Sequence, residues 1–334
     1  MLRSTETEPV AADQADEPAL SKAVSRLRIR HFQLLDALDR LGSLRRAALE
    51  LGVTQPAAVA LIDDLEFAFG APLVARGRSG TTLTPAAGAV LARGRVAVHE
   101  IATARRLVAR GAQCGGHLRL GASPYLISTL VPDLLVRLRD VLPDIQTDVR
   151  EGTLDTLVAE LARGELDAVL SSVDHAAVLS SGASLDIVSL ASEHMCVVAG
   201  RGHPLFGVAR APLDQVLLGP WVLPHAVSHL RALVDSAVFE VGAAPIVPQV
   251  ECRGVSNLLL IAAASGLLTV APHYEAGRPH WRGNISLLDD ILPLNATPYV
   301  LVTRRYAAWT AELAALREQA KTVAGQLFGT GRPA

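Results

Sequence analysis

Apolar residues follow two different rhythms along this chain. Between Arg26 and Leu41, the residues Leu27, Phe32, Leu34, Leu35, Leu38 and Leu41 recur at helical spacing, with Arg30, Asp36 and Arg40 between them. That spacing predicts one amphipathic helix. Gly42-Ser43 stops it, and Ser43 is placed to cap a second helix, Leu44 to Leu51, whose Ala47, Ala48 and Leu51 form a narrow face that permits a close crossing. Gly52 stands where a helix end favours a left-handed residue, and Thr54 is placed to cap a third helix with Pro56 in its first turn. In that third helix Ala58, Ile62 and Leu65 are expected to face inward and Gln55, Val59, Asp63 and Glu66 outward. In "APLVARGRSGTTLTPAAGAVLARG", Leu73–Ala75 and Thr81–Leu83 read as a two-stranded wing around the turn from Gly77 to Gly80. Thr84-Pro85 then opens a long helix to Arg110. Its narrow stripe of Val90, Leu91, Val98, Ile101, Leu107 and Val108 needs a partner, either a second copy of the chain or its own core.

Beyond residue 116 the rhythm changes to short apolar runs alternating with helices. We read a strand at Leu118–Gly121, a helix at Pro124–Asp140, a strand at Ile145–Glu151, a helix at Leu154–Arg163 and a strand at Ala168–Ser171. Such alternation makes a doubly wound α/β sheet. Strands near Asp186–Leu190, Met195–Ala199, Trp221–Leu223, Gln249–Cys252 and Leu267–Ala271, with helices from about His229 and at Ser256–Ser265, make a second α/β unit.

Charge is distributed unevenly over the 334 residues. Residues 1–20 carry one base and five acids, residues 21–110 carry 14 Lys/Arg against seven acids, and residues 111–334 carry 16 against 21. A basic module joined to a mildly acidic remainder is expected where one part meets a polyanion and the other does something else. The acidic start is expected to be disordered. Only 4% of residues are aromatic, so burial rests on Leu, Val and Ala, which suits helices packed on sheets. Three scattered cysteines, Cys114, Cys196 and Cys252, form no disulfide framework or metal-binding pair, and no apolar run reaches membrane-spanning length. The expected location is the reducing cytoplasm.

The N-terminal third resembles the LysR-type transcriptional regulators. The resemblance rests on Phe32, Gly42-Ser43, Ala47-Ala48, Leu51, Val53-Thr54-Gln55-Pro56-Ala57, Leu65-Glu66, Gly70, Pro72-Leu73, Arg76, Leu83-Thr84, Ala86 and Gly88, in order and at the family's spacing, and continues more loosely to about residue 310. It implies an all-α winged helix-turn-helix (25–84) after an acidic tail (1–24), then a linker helix (85–112). An effector domain (113–310) of two doubly wound α/β subdomains, similar to type 2 periplasmic substrate-binding proteins, follows, with a C-terminal helix and tail (311–334). One lobe would comprise about 117–187 with the C-terminal end, and the other about 188–272. The implied partners are double-stranded promoter DNA with an imperfect palindrome, a small-molecule effector, and further copies of the chain as a dimer or tetramer. RNA polymerase is a candidate further partner. No cofactor or metal is expected.

The stretch "AALELGVTQPAAVALIDDLE" departs from the family pattern. Members usually carry Ser and a base where this chain has Val59 and Ala60, and often a base where it has Asp63. Gln55 can still pair with adenine, and Ala57 and Val59 can touch thymine methyls. The expected DNA-binding set is Arg28, Arg45, Arg46, Thr54, Gln55, Pro56, Ala57, Val59, Arg76 and Arg78, with the flanking arginines supplying the phosphate contacts. Helix starts at Ser123 and Ser228 offer N–H groups to an anion, so a small carboxylate is the expected effector. The contacts that the resemblance implies are Ser123, Tyr125, Thr153, Ser172, His225, Ser228 and Arg231.

Enzyme chemistry finds little support. Gly121-Ala122-Ser123-Pro124-Tyr125 lacks the second glycine of a nucleophile elbow, His194, His203 and His225 lack metal-ligand spacing, and Gly111 to Gly116 does not fit a phosphate loop. Three classes remain open on sequence: a ligand-responsive DNA-binding regulator, an effector-binding protein with weakened DNA affinity, and an enzyme on a substrate-binding fold.

Overall fold

The structure, a computed structural model, describes residues 24–77, 80–110, 116–172, 185–305 and 310–329. The chain divides into two units, Met1–Arg106 and Leu107–Ala334.

In the first unit, α1 (Ile29–Leu41), α2 (Leu44–Glu50) and α3 (Gln55–Phe69) precede β1 (Val74–Gly77), β2 (Gly80–Leu83) and α4 (Pro85–Arg110). Each expected cap is made by its hydroxyl: Ser43 accepts from the Arg46 N–H, Thr54 from Ala57 and Thr84 from Ala87. Gly52, with φ of 65°, supplies the left-handed residue between α2 and α3. Leu34, Leu35 and Leu38 of α1, Ala47 and Ala48 of α2, and Ala58, Ile62 and Leu65 of α3 form one core with Leu73, Ala87 and Leu91. The first helix starts three residues later than the apolar pattern suggested. His31 Nδ1 accepts the Arg28 backbone N–H at 2.8 Å and closes the first turn there.

The α4 stripe is divided between two environments. Its first half packs on its own unit through Ala87 and Leu91, and Arg95 bonds Asp36 and Asp39 of α1. Further along, Ile101 and Val108 are 50% and 83% exposed.

The second unit runs β3 (His117–Ala122), α5 (Pro124–Val141), β4 (Gln146–Glu151), α6 (Leu154–Ala162), β5 (Ala168–Ser172), β6 (Leu185–Glu193) and β7 (Met195–Gly200). It continues through α7 (Leu213–Leu218), β8 (Val222–Leu223), α8 (His229–Glu240), β9 (Val250–Glu251), α9 (Val255–Ser265) and β10 (Leu268–Pro272). Next come α10 (His273–Ala276), a 3-10 turn (Pro279–Trp281), β11 (Ile285–Leu288), β12 (Thr297–Arg304) and α11 (Ala311–Phe328).

One sheet has the order β4-β3-β5-β12-β6, with β3 parallel to β4 and β5, and β12 antiparallel to β5 and β6. Alternation along its strands fills both faces. Leu118, Leu120, Leu170, Tyr299 and Leu301 lie under α5 and α11, while Val169, Val300 and Val302 meet Leu157, Val158 and Leu161 of α6. Arg119, between two leucines of β3, is buried and held by Asp167 and by the Gly164 carbonyl at 2.7 Å.

In the other lobe β10-β7-β11 are antiparallel, β8-β9 are parallel, and a bridge between Trp221 and Leu268 joins the two groups. The resulting order, β9-β8-β10-β7-β11, repeats that of the first lobe. In each sheet the strand beside the parallel trio, β12 or β7, is the one that has just crossed from the other lobe. β7 lies close against α9: a Cβ on Gly200 would collide with the Ala262 carbonyl.

Two boundaries differ from the sequence reading. β6 stays in the first sheet through Glu193, so the change of lobe falls after that residue rather than at about 187. The second lobe also continues past 272, because β11 pairs with β7. β11 is four residues long, too short for its alternation to register in the sequence.

Candidate DNA-reading and effector sites

α3 leaves Thr54, Gln55, Pro56 and Ala57 exposed at its start, with Val59 half-buried. Arg28, Arg45 and Arg46 are exposed on the same unit, and the Arg46 guanidinium also bonds the Leu41 carbonyl at the end of α1. Arg76 is placed by its backbone, paired with Thr81 in the wing. Arg78 lies outside the described residues.

The three acids of α3 play three different parts. Glu66, expected to face outward, instead turns to the wing and accepts the backbone N–H groups of Leu73 at 2.7 Å and Val74 at 3.0 Å. Asp64 lies 3.4 Å from the buried imidazole of His31. Asp63 is exposed and has no ion-pair partner among the described residues. Most of the negative charge that set this helix apart is therefore used in holding the module together.

In the effector domain Ser123, Thr153 and Ser172 stand at the carboxyl ends of β3, β4 and β5, the three parallel strands, where ligands of open α/β sheets sit. Ser123 precedes α5 with extended backbone, yet its hydroxyl makes no capping hydrogen bond. Plain N-capping therefore does not account for it. Thr153 opens α6 with its hydroxyl 3.1 Å from that of Thr156. His225 and Ser228 follow β8 in the other lobe, and Ser228 opens α8 likewise without a side-chain cap.

Arg231 and Tyr125 have other work. The Arg231 guanidinium bonds Asp235 at 2.9 Å, Glu251 at 3.2 Å and the carbonyls of Pro224 and Ile246, and is only 11% exposed. It ties α8 to β9 as a strut, with its donors committed. His225 Nδ1 lies 3.6 Å from the same Glu251. The Tyr125 hydroxyl donates to Glu193 at 3.1 Å, and its ring packs on Tyr299 and Phe328.

Glu193 is the functional candidate that the sequence did not reveal. It is buried at the last position of β6, where the chain leaves the first lobe, and it also accepts from the Tyr299 hydroxyl at 2.8 Å and the Tyr274 backbone N–H at 3.0 Å. Burial raises its pKa to about 7, against the lowering effect of these donors. The same burial, with the neighbouring carboxylate, raises both tyrosine hydroxyls far above their ordinary range, so they remain donors.

Comparison with known proteins follows this division of the chain. Residues 29–88 match the model for bacterial regulatory helix-turn-helix proteins of the lysR family, and residues 111–325 match the LysR substrate binding domain. The chain belongs to the LysR family. It is thus a transcriptional regulator with a DNA-binding helix-turn-helix and an effector-binding domain. The HTH-type transcriptional regulator GalR of Pseudomonas putida is 28% identical over 281 residues, covering 82% of this chain and 68% of that protein. GbpR of Azospirillum brasilense is 29% identical over 250 residues, covering 74% and 72%. Among solved structures, a full-length OxyR variant from Pseudomonas aeruginosa superposes with a TM-score of 0.58 at 20% identity, covering 92% of this chain and 99% of that one. HinK, a LysR family regulator from the same organism, gives 0.55 at 18%, covering 91% and 99%. Both likenesses concern the fold. The LysR relatives are named as regulators rather than enzymes. Among the described residues no helix is long and apolar enough to cross a membrane, and no group of His, Cys, Asp and Glu is arranged to hold a metal.

Proposed function

We propose that the protein binds an imperfectly palindromic operator as a dimer or tetramer and responds to a small carboxylate held between its two lobes. The exposed second half of the α4 stripe, Ile101 and Val108, supports pairing with a second copy, which would bring two α3 helices about one DNA turn apart, ~34 Å. In each copy Gln55, Ala57 and Val59 read base edges, and Arg28, Arg45, Arg46, Arg76 and Arg78 engage phosphates. RNA polymerase is the natural further partner of such a regulator, and the cytoplasm its place of action.

The observation that carries the carboxylate reading is Ser123. A hydroxyl at the start of an 18-residue helix, at the carboxyl edge of a parallel sheet and free of capping duty, can donate to an anion together with the first N–H groups of α5. Thr153 and Ser172 on the same edge, and His225 and Ser228 in the second lobe, complete the set. A carboxylate that binds one cleft geometry better than another would shift the relative placement of the DNA-binding pairs. Screening small carboxylates by thermal shift, with Ser123→Ala as control, tests this. A true effector loses about tenfold or more in affinity in the variant, as for one hydrogen bond to a charged group. A screen in which no carboxylate binds, or in which hits bind Ser123→Ala equally well, removes the basis for the assignment.

A further inference from the structure

Positive charge is left unmatched at the start of α1. Arg26, Arg28 and Arg30 are exposed, and none of them has an ion-pair partner among the described residues. The first turn of the helix holds no acid, although a helix start favours one. The two acids of α1 lie farther along and are taken, Asp36 by Arg40 and Arg95, and Asp39 by Arg95. These arginines therefore stand at the helix end where the macrodipole already places positive charge.

The complementary charge lies just upstream in the chain, outside the described residues. Residues 6–17 hold Glu6, Glu8, Asp13, Asp16 and Glu17 and no base, and Lys22 is the one charged residue between Glu17 and Arg26. Arg26 follows Glu17 by nine positions, a distance that an extended chain spans at up to about 30 Å. Each exposed pair of carboxylate and guanidinium is weak by itself. Joined to the module through so short a tether, the acids act at an effective concentration on the order of millimolar, without any loss to dilution.

We propose that residues 6–17 dock on Arg26, Arg28 and Arg30 and compete with DNA phosphates for them, so that the chain carries its own electrostatic brake on DNA binding. The segment supplies the helix start with the acids it lacks whenever no duplex is present. Resting on the reading of Arg28 as a phosphate contact, the brake requires a duplex to displace the segment before it reaches that side chain. The contest concerns phosphates and no base edge, so every duplex is weakened alike.

Fluorescence anisotropy at low salt, with two unrelated mixed-sequence duplexes, tests the brake on three forms of the protein. These are the parent, a form lacking residues 2–20, and a form neutralised in place by Glu6→Gln, Glu8→Gln, Asp13→Asn, Asp16→Asn and Glu17→Gln. Both altered forms should bind both duplexes about three- to tenfold more tightly than the parent, as for a few exposed ion pairs no longer in competition. The gain should fade as salt is raised. The slope of log K against log salt should steepen by about 0.9 for each phosphate contact regained. Combined with Arg26→Ala, Arg28→Ala and Arg30→Ala, the deletion should gain less than about twofold, because the acids have lost their partners. Equal binding by all three forms, a gain from the deletion that neutralisation does not reproduce, or a full gain without the three arginines would each overturn the proposal. Silence of every form on both duplexes would instead overturn the phosphate reading of Arg28, and the brake with it.

Discussion

The backbone N–H of Leu73, at the foot of the wing, donates to the carboxylate of Glu66 near the end of the reading helix, 2.7 Å away. One acid thus fixes the wing to the helix, since the Val74 N–H reaches the same oxygen. Glu66→Ala leaves both donors unpaired in a partly buried place, and should lower stability by about 1–3 kcal/mol. Glu66→Gln, which keeps one carbonyl acceptor, should cost less. Urea unfolding of the full chain checks this, and an alanine variant as stable as the parent would show the contact to be incidental.

Asp63 and Asp64 are adjacent in sequence and differ in what they touch. Asp63→Asn removes an unpaired negative charge from the DNA-facing helix and should tighten binding to every duplex about fivefold, near 1 kcal/mol for one close charge pair in water, without altering sequence preference. Asp64→Asn loses the contact with His31 and should gain less. Fluorescence anisotropy on operator and scrambled duplexes distinguishes the two; equal gains would mean that the His31 contact does not matter.

Flanking arginines should set the salt dependence. Arg45→Ala is expected to reduce the slope of log K against log salt by about 0.9 and to weaken operator and non-specific DNA alike. Gln55→Ala should instead relax discrimination at one base pair, by about 1–3 kcal/mol. An Arg45→Ala variant with an unchanged slope would place this side chain off the DNA.

The buried carboxyl of Glu193 makes stability depend on pH. Its folded-state pKa of about 7 lies above the ordinary 4.5, because burial disfavours the charged form. The native chain therefore keeps a proton that the unfolded chain gives up. This contribution is fully present below about pH 4.5 and is lost as pH rises through 7, at a total cost of up to roughly 3 kcal/mol. Urea unfolding at pH 5 and pH 8 should show a smaller loss for Glu193→Gln than for the parent, and identical losses would exclude Glu193 as the source.

What could be read from the sequence follows from locality. Ser43, Thr54 and Thr84 cap helices a few residues away, and the 3.6-residue period of α1 and α3 lies within single segments, so the helix-turn-helix and its wing were legible to within a few residues. The strands β3 to β10 were legible for the same reason. Glu193 was not. Tyr125, Tyr274 and Tyr299 reach it from α5, α10 and β12, and no local spacing marks such a convergence. Arg231 shows the opposite case: the family resemblance suggested a ligand contact, but Asp235 and Glu251, four and twenty residues on, take up its donors. β12 was hidden by Pro298, which ordinarily argues against an interior strand. It is tolerated at the second residue of the strand, beside an irregularity in register between Tyr299 and Val300.

The exchange of β7 and β12 between lobes also bears on how the chain is made. When the ribosome has delivered β3 to β6, the first sheet still has a gap between β5 and β6. The strand that fills it emerges more than a hundred residues later, after all the strands of the second lobe. That second sheet is contiguous in the chain and can close during synthesis, whereas the first must wait, its unpaired edges open to other chains. A truncation between Leu288 and Thr297 should therefore yield one foldable lobe and one aggregation-prone fragment, not a shortened regulator.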